Sequence, residues 1–250
     1  MTQAYVKSDI NNQIATIEFF HPAHNSLPGD ILAKLANTIT EMGQNEEVLV
    51  IILKSGGDRT FCAGASFKEL INIQDEETGK KFFSGFANVI NAMRKCPKFI
   101  IGRVQGKVVG GGVGLASAMD YCMATNYAAI KLSELNIGIG PFVVGPAVER
   151  KLGVSGMSQI AIDANSFYEA EWARQKGLYT KVFESTKALD QAVQEFAENL
   201  TNYNPEAVKH MKQMFWRGTE DWDELLMERA KISGKLVLSE FTKEKLKRFK

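Results

Sequence analysis

Cysteine is scarce in this chain of 250 residues, and its three copies, Cys62, Cys96 and Cys122, show no C-x-x-C spacing. That pattern excludes a disulfide framework and predicts reduced thiols in a cytoplasmic protein. Histidine is equally rare. His21, His24 and His210 are not spaced as metal ligands, so no metal is expected. No apolar run is long enough to span a bilayer, and MTQAYVKSD at the start lacks the basic and apolar segments of a leader peptide. Neither sign of charge is in excess: the formal net charge is +1. Nothing therefore draws the whole molecule to nucleic acid or to an anionic membrane, and neither is an expected partner.

What the chain does have is a stretch from Val108 to Gly140 that opens on three consecutive glycines, Gly110 to Gly112, and holds a lone carboxylate, Glu134. Glycine lets backbone N–H groups approach a ligand closely. An acid flanked by Leu132, Leu135 and Ile137 is where a raised pKa and proton transfer are expected. A second glycine-containing turn, Ala63–Gly64–Ala65, also follows a strand and opens a helix. If the two strands are neighbours, one N–H from each turn faces a common cleft and the pair stabilises a developing oxyanion. Either turn alone reads as a tight connection.

Hydrophobic periodicity places these motifs. Ile14–Phe20 alternates as a half-buried strand, the stripe Ile31, Leu32, Leu35, Ile39 and Met42 marks a helix over Asp30–Met42, and Leu49–Leu53 reads as a buried strand. A helix over Lys80–Lys95 and a strand over Phe99–Val104 lead into the glycines. Short helices are predicted over Pro146–Leu152 and Met157–Ala164. Ser166 with Glu169 predicts a capping box for a helix that ends at Gly177. After Thr186 glycine nearly vanishes and helical stripes dominate, with Asn204–Pro205 starting one helix. Residues 1–185 are read as an α/β core and residues 186–250 as a helical region.

Two nucleotide-binding readings fail. No G-K-[ST] follows the glycines, which excludes a P-loop, and the small residue and acid of a dinucleotide fingerprint are out of place.

HNSL, FCAGASFKEL, VQGKVVGGGVGLASAMDY and SELNIGIGP occur in this order along the chain. In these motifs, over nearly its whole length, the chain resembles the crotonase, or enoyl-CoA hydratase/isomerase, superfamily. The resemblance implies a ββα spiral core with a C-terminal α-helical trimerisation region, assembled as a homotrimer or a dimer of trimers. It implies an acyl-CoA thioester substrate and no separate cofactor, coenzyme A being part of the substrate. Carried over residue by residue, it puts the oxyanion donors at Ala65 and Gly111 and the acid/base group at Glu134. Coenzyme A would be held near Ala63, Phe67 and Lys68, with Lys243 and Phe249 as further contacts from the C-terminus.

The departure from the family pattern is Gly114, where hydratases commonly carry a first glutamate. Asp120 matches a structural aspartate, and Glu149 falls on a predicted helix beyond the site. One remaining glutamate resembles the double-bond isomerases, which shuttle a proton between C2 and C4. The alternative is a hydratase, on a branched acyl-CoA for instance, that positions water by other groups. A non-catalytic acyl-CoA-binding or scaffold subunit is the reading from another class.

Overall fold

The computed structural model describes residues 3–247. Its amino-terminal part is a spiral in which each turn lays one strand in a large sheet, a short strand in a smaller one, and then a helix. The strands β1 (Tyr5–Asn11) and β2 (Ile14–Phe20) form a hairpin, followed by β3 (Ser26–Leu27) and α1 (Gly29–Gln44). The next turn contains β4 (Val50–Ser55), β5 (Thr60–Cys62), β6 (Gly64–Ala65), α2 (Phe67–Leu70) and α3 (Glu76–Lys95). A further turn contains β7 (Phe99–Val104), β8 (Lys107–Val109) and α4 (Gly111–Ala118). It is followed by β9 (Tyr121–Thr125), β10 (Ile130–Lys131), a 3-10 turn over Glu134–Ile137 and α5 (Gly145–Ile162). The chain continues through α6 (Ala170–Gln175), β11 (Lys181–Phe183), α7 (Thr186–Leu200), α8 (Pro205–Phe215), α9 (Trp222–Leu236) and α10 (Glu240–Lys247).

The large sheet has the order β1-β2-β4-β7-β9-β11, parallel from β2 onward. Its central strands are covered on both faces, which is why Leu49–Leu53 reads as an unbroken apolar run. Ile51 and Leu53 point into the main core with Ala15, Ile17, Leu35 and Ile90. Val50 and Ile52 point the other way, against Leu189, Val193, Ala197 and Leu200 of α7. The two smaller sheets, β10-β8-β5 and β3-β6, stack the short strands.

Most expected elements are present, with ends shifted by a few residues. Phe99–Val104 forms as read from the sequence. The two short helices form one element, α5, interrupted at Gly153, whose φ of 68° is outside the helical range. The capping box at Ser166 does not form. The Ser166 hydroxyl donates to Asp163 Oδ1 at 3.0 Å, and Glu169 precedes α6 with no side-chain cap. A bridge between Tyr168 and Ile130 is the reason: two backbone hydrogen bonds of 2.8 and 2.9 Å hold this segment extended until Ala170. Gly177, with φ 89°, follows the end of α6. At α8 the Asn204 side chain accepts from the N–H groups of Glu206 and Ala207, as the Asn–Pro pair predicts.

The carboxy-terminal helices fold back on their own core. Helices α3 and α9 cross at Gly79 and Gly234, where a Cβ on Gly79 would lie 2.8 Å from Gly234 Cα. Leu246 of α10 joins Leu70 and Ile139 in a small apolar cluster beside the glycine turns. No helix among the described residues is long and apolar enough to cross a membrane.

Candidate active site

Two parallel pairings bring the glycine turns together. Strands β4 and β7 are neighbours, and so are β5 and β8, with Cys62 opposite Val108. The turn after β5 therefore meets the turn after β8: a Cβ on Gly64 would lie 3.5 Å from the Gly111 nitrogen. Glycine is required at 64 on conformational grounds as well, since its φ is 88°. The first turn is held by Asn25, a buried residue whose Nδ2 donates to the carbonyls of Gly56 and Thr60 at 2.9 Å. Its own carbonyl accepts from Ala63 N–H at 3.1 Å. The HNSL motif thus does structural work at the site that the sequence reading had not assigned.

The second turn opens α4. Gly110 takes φ 54°, and Gly111 is the first helical residue, so its N–H has no carbonyl one turn earlier to bond. The ring of Phe86 packs directly on Gly111, where a Cβ would fall 2.5 Å from Cε2. Pairing of β10 with β8, extended by the Gly110 N–H to Lys131 carbonyl bond of 2.9 Å, carries the chain back past this turn. Three residues later comes Glu134.

Glu134 begins the 3-10 turn that Gly138 closes at φ 84°. The turn is fixed from both sides: Asn136 Nδ2 donates to the Ala164 carbonyl at 2.7 Å, and Thr242 of α10 donates to the Gly138 carbonyl at 3.2 Å. Glu134 Oε1 lies 3.3 Å from where a Gly110 Cβ would sit. Oε2 is shut off from solvent and has no hydrogen-bond partner. Burial raises this carboxyl from an ordinary 4.5 to about 7, because the charged form loses hydration that no cation replaces.

These groups line one cavity of about 360 Å³. Of the residues expected at the site, Ala63, Ala65, Phe67, Gly111 and Glu134 are in its wall. The rest of the lining is mainly apolar, with Phe82, Phe86, Phe142 and Val144 prominent, and Glu134 is the only carboxylate among the described lining residues. Gly114 does not reach the cavity. It is buried in α4 against Val144.

Lys68 is exposed, one residue beyond Phe67. Lys243 is on the surface of α10 with its Nζ 3.2 Å from Glu240 Oε1. Phe249 lies outside the described residues. Glu149 is exposed on α5, away from the cavity. Val144 and Phe142 were not singled out from the sequence, because only folding brings the residues after Gly140 back over α4.

The spiral and its glycine-walled cleft define the crotonase type of fold. It superimposes on an enoyl-CoA hydratase from Bacillus halodurans with a TM-score of 0.90 over 98% of this chain and 99% of that one, at 19% identity. A profile described as enoyl-CoA hydratase/isomerase matches residues 9–249, and the chain belongs to that family. Its relatives include a short-chain-enoyl-CoA hydratase of Clostridium acetobutylicum, 29% identical over 95% of this chain and 91% of the relative. They also include a peroxisomal Delta(3,5)-Delta(2,4)-dienoyl-CoA isomerase of Arabidopsis thaliana, 27% identical over 88% and 83%.

Proposed function

We propose that the protein is an enoyl-CoA isomerase, moving a double bond from C3=C4 to C2=C3 of an acyl-CoA thioester with Glu134 as the single proton carrier. The observation that carries this reading is the solitude of Glu134. It is the one carboxylate among the described residues that line an apolar cleft, burial raises its pKa to about 7, and position 114 offers no second acid. The Ala65 and Gly111 N–H groups would hold the thioester oxygen.

In this mechanism Glu134 takes a proton from C2, and the electron pair moves through the thioester to give an enolate whose oxygen accepts from the two amides. The carboxylic acid then returns the proton at C4 as the enolate collapses to the conjugated 2-enoyl thioester. Atoms and charge balance without an added reactant, and a pKa near 7 suits a group that must both accept and donate. Ala63 and Phe67 would hold the adenine portion of coenzyme A. Lys68, exposed beside the cleft and with no carboxylate partner among the described residues, would meet its phosphates. Lys243 would add to that contact by exchanging its Glu240 partner. Assembly as a trimer or a dimer of trimers would cover Met211, Met214 and Phe215, which α8 leaves exposed.

Separate incubation of the purified protein with 3-enoyl-CoA and 2-enoyl-CoA tests the reading by chromatography of the products. Interconversion of the two without a hydroxyacyl product is expected. A hydroxyacyl-CoA product would assign the protein as a hydratase, and binding without turnover would assign a non-catalytic acyl-CoA binder.

A further inference from the structure

Gly114 is the fourth residue of α4, and a Cβ placed on it would lie 2.5 Å from Val144 Cγ1 and 2.7 Å from Val144 Cβ. Bonded carbon aside, atoms do not approach so closely, so position 114 holds only a hydrogen while Val144 stays where it is. The next nearest atom, Ile90 Cδ1, is 3.4 Å away, an ordinary contact. Val144 is 4% exposed and lines the cavity, whereas Gly114 does not. The valine therefore stands between position 114 and the substrate space.

We infer that Val144 is the residue that sets the reaction specificity of this cleft, its isopropyl group filling the room that an acid at 114 would occupy and closing that wall to a catalytic water. The inference rests on the isomerase reading above. Hydration of a 2-enoyl thioester forms a bond from water oxygen to C3 and places a proton on C2, so a water must be held over C3 by hydrogen bonds. Methyl groups make none, and water beside them is left unsatisfied. The absence of the first glutamate is thus a matter of two positions, and restoring the carboxylate alone does not restore a hydratase site. Val144 has φ −84° and ψ −20°, a conformation any residue adopts, so glycine at 144 removes both obstructing carbons without new backbone strain.

The test compares wild type, Gly114→Glu, and the double variant Gly114→Glu with Val144→Gly. Each is checked for folding by thermal unfolding and offered 2-enoyl-CoA. The double variant is expected to form 3-hydroxyacyl-CoA at a rate at least about tenfold above the background measured with wild type, and Gly114→Glu alone to stay at that background. A single variant that hydrates as fast as the double, or a folded double variant that does not hydrate, overturns the inference. If the double variant fails to fold, isomerisation by Val144→Ala in deuterium oxide decides. Admitting water to that wall should raise the deuterium incorporated per turnover several-fold over wild type, and unchanged incorporation overturns the inference. Wild-type interconversion, measured in the same series, reports separately on the isomerase reading.

Discussion

Lys212 Nζ lies 2.7 Å from Asp120 Oδ2, with both side chains buried, and this pair joins α8 to the end of α4. Lys212 also donates to the Lys98 carbonyl at 2.9 Å, while Asp120 accepts from Ile100 N–H at 2.8 Å and Trp216 Nε1 at 3.3 Å. Removing one charge leaves the other buried without its ion-pair partner. Asp120→Ala or Lys212→Met should each lower unfolding free energy by about 3–5 kcal/mol, and replacing both should cost much less than the sum. Urea unfolding of the three variants checks this.

The raised pKa of Glu134 gives a pH profile. Glu134 must be ionised to accept the first proton, so kcat/KM for isomerisation should rise with pH through about 7. Glu134→Gln should abolish that limb and reduce turnover by at least about a thousandfold, while leaving acyl-CoA affinity within a few-fold. Initial rates from pH 5 to 9 and a binding titration with a saturated acyl-CoA read out the two effects.

The same group destabilises the fold where it is charged. Its folded pKa, about 7, is above the ordinary 4.5, so the native state holds the proton more tightly and stability falls as pH rises across that window. Glu134→Gln keeps the neutral shape. It should be more stable than wild type by about 3 kcal/mol at pH 8, with the advantage gone below the lower pKa. Denaturant unfolding at pH 4 and pH 8 measures the difference.

Gly111 should not tolerate a side chain, since a Cβ would meet Phe86 Cε2 at 2.5 Å and Cε1 at 2.6 Å. Gly111→Val is expected to cost about 1–3 kcal/mol by overpacking and to remove detectable turnover. Adding Phe86→Ala should recover part of the stability but not the activity, because the valine still projects at the cleft wall. Calorimetry and rate assays distinguish the two.

The three cysteines are buried and unpaired, and burial pushes Cys62 and Cys122 up to about 12 and also raises Cys96. Native protein should therefore give no rapid reaction with an aromatic disulfide reagent at pH 8. All three thiols should react after denaturation.

Local pattern carried far in this chain. The alternation of Ala15, Ile17 and Phe19 placed all three at full burial. The apolar flanks of Glu134 pointed to partial burial, and its Oε2 is shut off from solvent although Leu135 beside it is exposed. Signals failed where a distant partner intervened. Ser166 and Glu169 have the spacing of a capping box, yet the bridge from Tyr168 to Ile130 keeps that segment extended. The role of Asn25 was invisible because its acceptors, the carbonyls of Gly56 and Thr60, are loops apart in sequence.

By itself the sequence determined most of the elements and their chemistry: the main strands and helices, two glycine turns, one acid in apolar company, and no side chain at 114. These follow from periodicity and from what each residue type can do to its own backbone. Only the tertiary structure decided that Gly64 lies against the Gly111 turn, that α9 crosses α3 at paired glycines, and that Val144 takes the room beside Gly114. Close approaches of this kind depend on which surfaces the spiral stacks together, and sequence spacing does not encode that geometry.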